Sequence, residues 1–202
     1  MERKSIDDKK RKLSGAALKQ ESVTLAIEKA LFEEWVEKGY ASISLESVAK
    51  RAGVGKAAIY RRWPSKFELV TELVNKVGTD LIYIPDTGSL KEDIFQLLKQ
   101  LRRLLRHRKI KRILPDLHAE MGRNPTLTQA IRGNVQIQRR QSGETLIQRA
   151  IERNEISQDT NIEMILDLLG SMIYWRMIIT KNRADTQYLH ELNELILKVL
   201  KK

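Results

Sequence analysis

Apolar residues recur along this chain at steps of three and four, and no alternation of period two holds for a useful length. Over residues 21–38 the apolar set is Val23, Ile27, Ala30, Leu31 and Trp35, with Glu28, Lys29, Glu33 and Glu37 opposite, and Gly39 ends the run. This spacing lays one stripe along an α-helix. Ser44 is placed as a hydroxyl N-cap for "LESVAKRA", in which Leu45, Val48 and Ala49 face inward, and Gly53 breaks the chain. "KAAIYRRW" has room for about two turns before Pro64 stops it. Ser65 then caps a fourth helix that starts near Lys66 and carries Phe67, Leu69, Val70, Leu73, Val74 and Val77.

The turn-rich stretch "IPDTGSL" at residues 84–90 is the best boundary between two helical parts. Five more helices are predicted beyond it, over 90–107, 110–121 with Pro115 inside, 125–153, 161–180 and 186–200, separated by "GRNP", "NEISQDT" and "KNRAD". The expected fold is all-α with about nine helices. Its parts are a basic tail over 1–20, a helix-turn-helix domain over 21–84 and a larger helical domain over 85–202.

Composition narrows the function. The 202 residues suffice for one large domain or two small ones, and only ten Gly and four Pro leave long periodic segments unbroken. A formal charge of +11 predicts attraction to a polyanion: nucleic acid, an anionic membrane or an acidic protein. The absence of cysteine removes disulfides, thiolate nucleophiles and cysteine metal sites, and fits a reducing compartment. The N-terminus is charged with no apolar run behind it, and no stretch reaches ~18 apolar residues. A soluble cytoplasmic protein without a membrane partner is expected.

The segment "GVGKAAIYRRWPSK" at residues 53–66 combines small residues, an aromatic pair and four basic side chains. Two short helices joined by a glycine turn are the parts of a helix-turn-helix, whose second helix enters the DNA major groove. Small Gly55, Ala57 and Ala58 let that helix approach, Lys56 can reach phosphate or base acceptors, and Tyr60 can bond or stack at the same surface. Ile59 and Trp63 are spaced to face inward. Arg61, Arg62 and Lys66 form a cationic cluster suited to phosphate.

"SLESVAKRAGVGKAAIYRRWPSK", residues 44–66, closely resembles the DNA-binding motif of the TetR (tetracycline repressor) family of transcriptional regulators. "RNPTLTQAIRG" and "AIERNEIS" resemble, more loosely, the ligand-binding and dimerisation domain of one branch of that family. The resemblance implies a homodimeric repressor that binds a near-palindromic double-stranded DNA operator and is released by a small-molecule effector. It places Ser44 where a hydroxyl often touches phosphate, and Lys56, Tyr60 and Lys66 at contact positions. Many relatives carry Thr where this chain has Ala58, so only an apolar contact, such as to a thymine methyl, is left there.

The second part carries weaker signals. In "LLGSMIYWRMIIT", Gly170 and Ser171 allow close helix approach and Met172, Tyr174, Trp175 and Met177 supply bulk, which suits a ligand cavity, a dimer seam or an ordinary core helix. A dimer seam would use Ser171, Trp175, Leu192, Leu195, Ile196 and Val199. A pocket between helices would use Leu117, His118, Met121, Tyr174 and Arg176. The run from Arg102 to Arg112 holds seven Lys and Arg around His107, a solvated face or an attractor of anions. Lys9, Lys10, Arg11 and Lys12 read either as a solubilising tail or as an arm for the minor groove.

Catalysis has little support. His107, His118 and His190 are scattered, no Gly-rich loop cradles phosphate, and "HAE" at His118 lacks the cysteine partners of a zinc deaminase. No catalytic residue, metal or cofactor is expected. A helical module for an acidic protein partner explains the charge but not residues 53–66.

Overall fold

The computed structural model describes residues 15–80, 83–133 and 137–200. Among the described residues there are ten α-helices and no strand. They are α1 (Gly15–Lys38), α2 (Leu45–Ala52), α3 (Lys56–Arg62), α4 (Lys66–Asp80), α5 (Leu90–Arg106), α6 (Arg108–Met121), α7 (Pro125–Ile131), α8 (Ile137–Glu152), α9 (Ile162–Tyr174) and α10 (Thr186–Leu200), with a 3-10 turn at Tyr40–Ser42. The Lys9–Lys12 segment lies outside the described residues. No helix among them is long and apolar enough to cross a membrane.

Three boundaries depart from the periodic pattern. Helix α1 starts at Gly15 rather than residue 21, because "AALKQ" is rich in strong helix formers that an apolar stripe does not register. Two helices, α7 and α8, stand in place of the single one expected over 125–153. Asn124 caps α7 by accepting from Leu127 N at 3.0 Å, with Pro125 behind it. Past α9 the chain widens into a π turn over Trp175–Ile179, closed by Thr180 N donating to Trp175 O at 2.9 Å, and Met177 and Ile178 both enter the core.

Two apolar cores result. The first holds Ile27, Leu31 and Trp35 of α1, Val48 of α2, Ile59 of α3, Trp63 and Leu69, Val70 and Leu73 of α4, so the stripe read over residues 21–38 is the buried face of α1. It also takes Ile113 and Leu117 from α6 and Leu127 and Ile131 from α7. The second is built from α5, α8, α9 and α10, including Ile94, Leu98, Leu146, Ile165, Ile173, Leu189 and Ile196. Each such side chain contributes roughly 1.5–3 kcal/mol when fully buried. Helix α6 serves both cores, since Ile110 and Leu114 pack on the second.

Polar groups fix how these helices meet. Asp116 of α6 accepts from Trp35 Nε1 at 2.6 Å and Tyr40 N at 2.8 Å, tying α6 to the end of α1. Glu33 and Glu37, read as opposite the apolar stripe, face Arg51 of α2, and Glu28 pairs with Lys76 of α4 at 2.8 Å. The connector before α5 is held by buried Asp93, which accepts from Thr87 N at 2.7 Å, Thr87 Oγ1 at 2.8 Å and Arg153 Nη2 at 3.1 Å. Glu155 accepts from Leu90 N at 2.8 Å, closing the first turn of α5.

Asp93→Ala removes the acceptor of Thr87 N and Thr87 Oγ1 and one of the carboxylate partners of Arg153, which keeps Glu155, so a loss of about 1–3 kcal/mol is expected in urea unfolding, with Asp93→Asn milder. Asp116→Ala removes two bonds between α6 and the end of α1 at a cost of roughly 2–4 kcal/mol by the same measurement. Asp116→Asn retains an oxygen acceptor and is expected to recover about half of that loss.

Candidate nucleic-acid interface

The geometry of α2 and α3 follows from three local devices. Ser44 Oγ accepts from Ser47 N at 3.1 Å while Ser47 Oγ accepts from Ser44 N, a reciprocal cap that starts α2. Gly53 has φ of 67°, the left-handed conformation, and Val54 N reaches back to Ala49 O at 3.0 Å to end α2. Ile59 and Trp63 are fully buried, and Trp63 Nε1 donates to Glu72 Oε2 at 2.8 Å. With those anchors inward, Lys56, Ala57, Tyr60 and Arg61 are exposed along α3, Gly55 is exposed at its start, and Ala58 is half-buried.

Charged side chains divide into two groups. Lys56 and Arg61 make no ion pair among the described residues. Arg62 is exposed but engaged, bonding Thr24 Oγ1 and Glu72 Oε1 and lying 4.3 Å over the Trp63 ring. Lys66 Nζ donates to Tyr40 O and Ala41 O, both at 3.1 Å, and sits 4.5 Å from the Tyr40 ring centre. Two of its three protons are thereby used. Ser65, expected to cap α4, accepts from Phe67 N at 3.2 Å and bonds Glu68.

Glu46 joins this surface although sequence reasoning passed over it. Tyr60, 41% exposed, donates its hydroxyl to Glu46 Oε1 at 2.5 Å. The bond holds the Glu46 carboxyl below the usual carboxylate range, with Lys56 and Ser44 adding to the effect, and it pushes the Tyr60 phenol up. Glu46 and Tyr60 lie on separate helices either side of the Gly53 turn, so their spacing carries no periodic signal, and the only signal was an acid in the first turn of α2.

The five pocket candidates do not gather at one place. His118 Nδ1 and Tyr174 Oη meet at 2.7 Å, joining α6 to α9, and burial raises the Tyr174 phenol. Leu117 is buried in the first core. Arg176 donates to Arg183 O at 2.6 Å and stacks on Tyr188, fixing the turn before α10. Met121 lines an open depression of about 610 Å³ with Pro125, Thr128, Gln129, Arg132 and Gly133.

The six seam candidates also divide. Trp175 is 61% exposed, and Ser171, Leu195 and Val199 are exposed beside Met164, Met172 and Ile179. Leu192 and Ile196, at 3% and 0% exposure, lie instead in this chain's own second core, because the inward stripe of α10 passes through them. In the basic run, Lys109 reaches Glu33 at 3.6 Å and Arg102 reaches Thr186 Oγ1 at 3.4 Å, while Arg103, Arg106, Arg108, Lys111 and Arg112 are exposed.

Comparison with known proteins agrees with this geometry. The family described as "Bacterial regulatory proteins, tetR family" matches residues 27–73, and "Tetracyclin repressor-like, C-terminal domain" matches residues 84–196. The chain is 32% identical over 170 residues to the uncharacterized HTH-type transcriptional regulator Mb1581 of Mycobacterium bovis, covering 83% of this chain and 80% of that one. It is 29% identical over 168 residues to the DNA-binding transcriptional repressor TetR of Mycobacteroides abscessus, covering 82% and 86%. The crystal structure of the TetR family regulator SCO0332 superposes with a TM-score of 0.70 at 25% identity, covering 90% of this chain and all of that one. The chain belongs to the TetR family of transcriptional regulators, and is a DNA-binding protein rather than an enzyme.

Proposed function

We propose that this chain is a homodimeric repressor that reads a near-palindromic operator with α3 and leaves it when a small molecule binds. The observation that carries the reading is the partition of α3: Ile59 and Trp63 anchor it, while Lys56, Ala57 and Tyr60 are left exposed on a small-residue surface. Such a helix fits the major groove, with Ser44, Lys56 and Arg61 offered to phosphates and bases. Arg62 and Lys66 direct donors to neighbouring elements, keeping α1, α3 and α4 in register, and the remaining Lys66 proton is available to phosphate. DNA places the working protein in the cytoplasm. The Mycobacteroides abscessus relative is named a repressor, which favours that direction of control.

The apolar band of Met164, Met172, Trp175, Ile179, Leu195 and Val199 supports dimerisation through α9 and α10. Large apolar side chains exposed on two helices that pack together, as α9 and α10 do, suit a homodimer interface. For release, the effector must favour the state in which the two α3 helices no longer match successive major grooves. Helix α6 is the route we infer, because it packs in both cores and carries His118 against Tyr174 on one side and Asp116 on the other.

Selection of bound duplexes from a random pool at near-physiological salt is expected to return a near-palindrome, with Lys56→Ala weakening it about tenfold. A pool without a preferred sequence overturns the reading. Trp175→Glu with Leu195→Glu is expected to yield a folded monomer by light scattering, with operator binding reduced at least about tenfold because the second half-site is lost. A dimer that persists in that variant excludes α9 and α10 as the seam.

A further inference from the structure

Glu46 is an acid on a surface expected to meet a polyanion. Ser44, Lys56 and Tyr60 surround it, and its hydrogen bond comes from the Tyr60 hydroxyl at 2.5 Å rather than from a cation. Its position in the first turn of α2 is favourable to the helix dipole, but a solvent-facing carboxylate anywhere in that turn satisfies the dipole equally. The bond to Tyr60 has a further consequence. A tyrosine hydroxyl both donates and accepts, and here its proton is committed to Glu46, so the oxygen that remains on offer can only accept. An ionised carboxylate likewise only accepts. Glu46 and Tyr60 therefore present two adjacent acceptors, beside Ala57 and Ala58, whose side chains donate nothing.

Such a pair rejects phosphate oxygens, guanine O6 and N7, and thymine O4, which are all acceptors. In the major groove it matches only an exocyclic amine, cytosine N4 or adenine N6. We infer that Glu46 and Tyr60 form one acceptor unit that reads an exocyclic base amine in each half-site, with Glu46 setting the direction of the Tyr60 hydroxyl. This rests on the reading that α3 enters the major groove. Lys56 supplies the complementary donor on the same surface, so the segment carries one donating and one accepting element for base recognition. Glu46 also acts against non-specific binding, since its charge opposes phosphate wherever no amine is present.

The test compares wild type, Glu46→Gln and Tyr60→Phe on one random duplex pool. It then uses selected duplexes in which a single adenine is replaced by purine, or a single cytosine by 2-pyrimidinone, each lacking only the amine. Wild type is expected to prefer an amine-bearing base at one position per half-site by about tenfold, and to lose about tenfold when that amine is removed. Which replacement acts tells cytosine from adenine. Both variants are expected to lose the preference at that position alone, with other positions unchanged, and Glu46→Gln is expected to bind unselected DNA more tightly. Circular dichroism melts show that the variants are folded, and Tyr60→Phe, which keeps the ring, answers the question by itself if Glu46→Gln fails to fold. Preferences unchanged in both variants, or affinity lowered equally for every sequence, overturn the proposal while leaving α3 as the DNA-reading helix. A wild-type pool without any preferred sequence overturns the groove reading and this proposal together.

Discussion

Asp116, on the helix shared by the two cores, ties that helix to the first core, and the placement of the DNA-reading unit depends on its two hydrogen bonds. Trp35 Nε1 and Tyr40 N both donate to Asp116 Oδ2, so the end of α1 is fixed to α6. Ser44 and α2 follow directly from that corner. Lys66 ties the same corner to the start of α4 through Tyr40 O and Ala41 O. Close-packed interiors transmit displacement rather than absorb it. A helix that places Ile113 and Leu117 in one core and Ile110 and Leu114 against the other therefore cannot shift for one core alone.

The second constraint is the division of cationic side chains between inner and outer work. Arg51, Arg62, Lys66 and Arg153 each direct donors to carboxylates or carbonyls of a separate element. What the chain keeps for its surface around α3 is Lys56 and Arg61, set among small residues and the Tyr60–Glu46 pair. Net charge alone does not make this distinction. The total of +11 counts all of these side chains alike, although a guanidinium bonded to Glu72 offers much less to a phosphate than one in solvent.

Much of this was legible in the chain. Steps of three and four marked Ile27, Leu31 and Trp35 as buried, Ser44 and Ser65 as helix starts, and Gly53 as the turn, because caps and turns are satisfied by neighbours a few residues away. Exposure was less legible. Leu192 and Leu195, three positions apart on α10, share one apolar stripe in sequence, yet Leu192 is in the core and Leu195 is 47% exposed. A stripe wider than the core can cover leaves its edge outside, and periodicity does not say which edge. Gly39 illustrates the same limit, since its role as a helix stop was readable but the approach of Asp116 beside it was not.

The sequence by itself determined the all-α class, the helix-turn-helix and the family, because these rest on local propensity, capping and a contiguous motif. Only the tertiary structure decided which distant groups share one site. It brought Glu46 to Tyr60, Asp116 to Trp35 and Tyr40, and His118 to Tyr174, while sending Leu117 and Arg176 to separate places. Such pairings are set by how helices cross, and crossing is decided by the packing of whole faces at once, a property that no single stretch of chain contains.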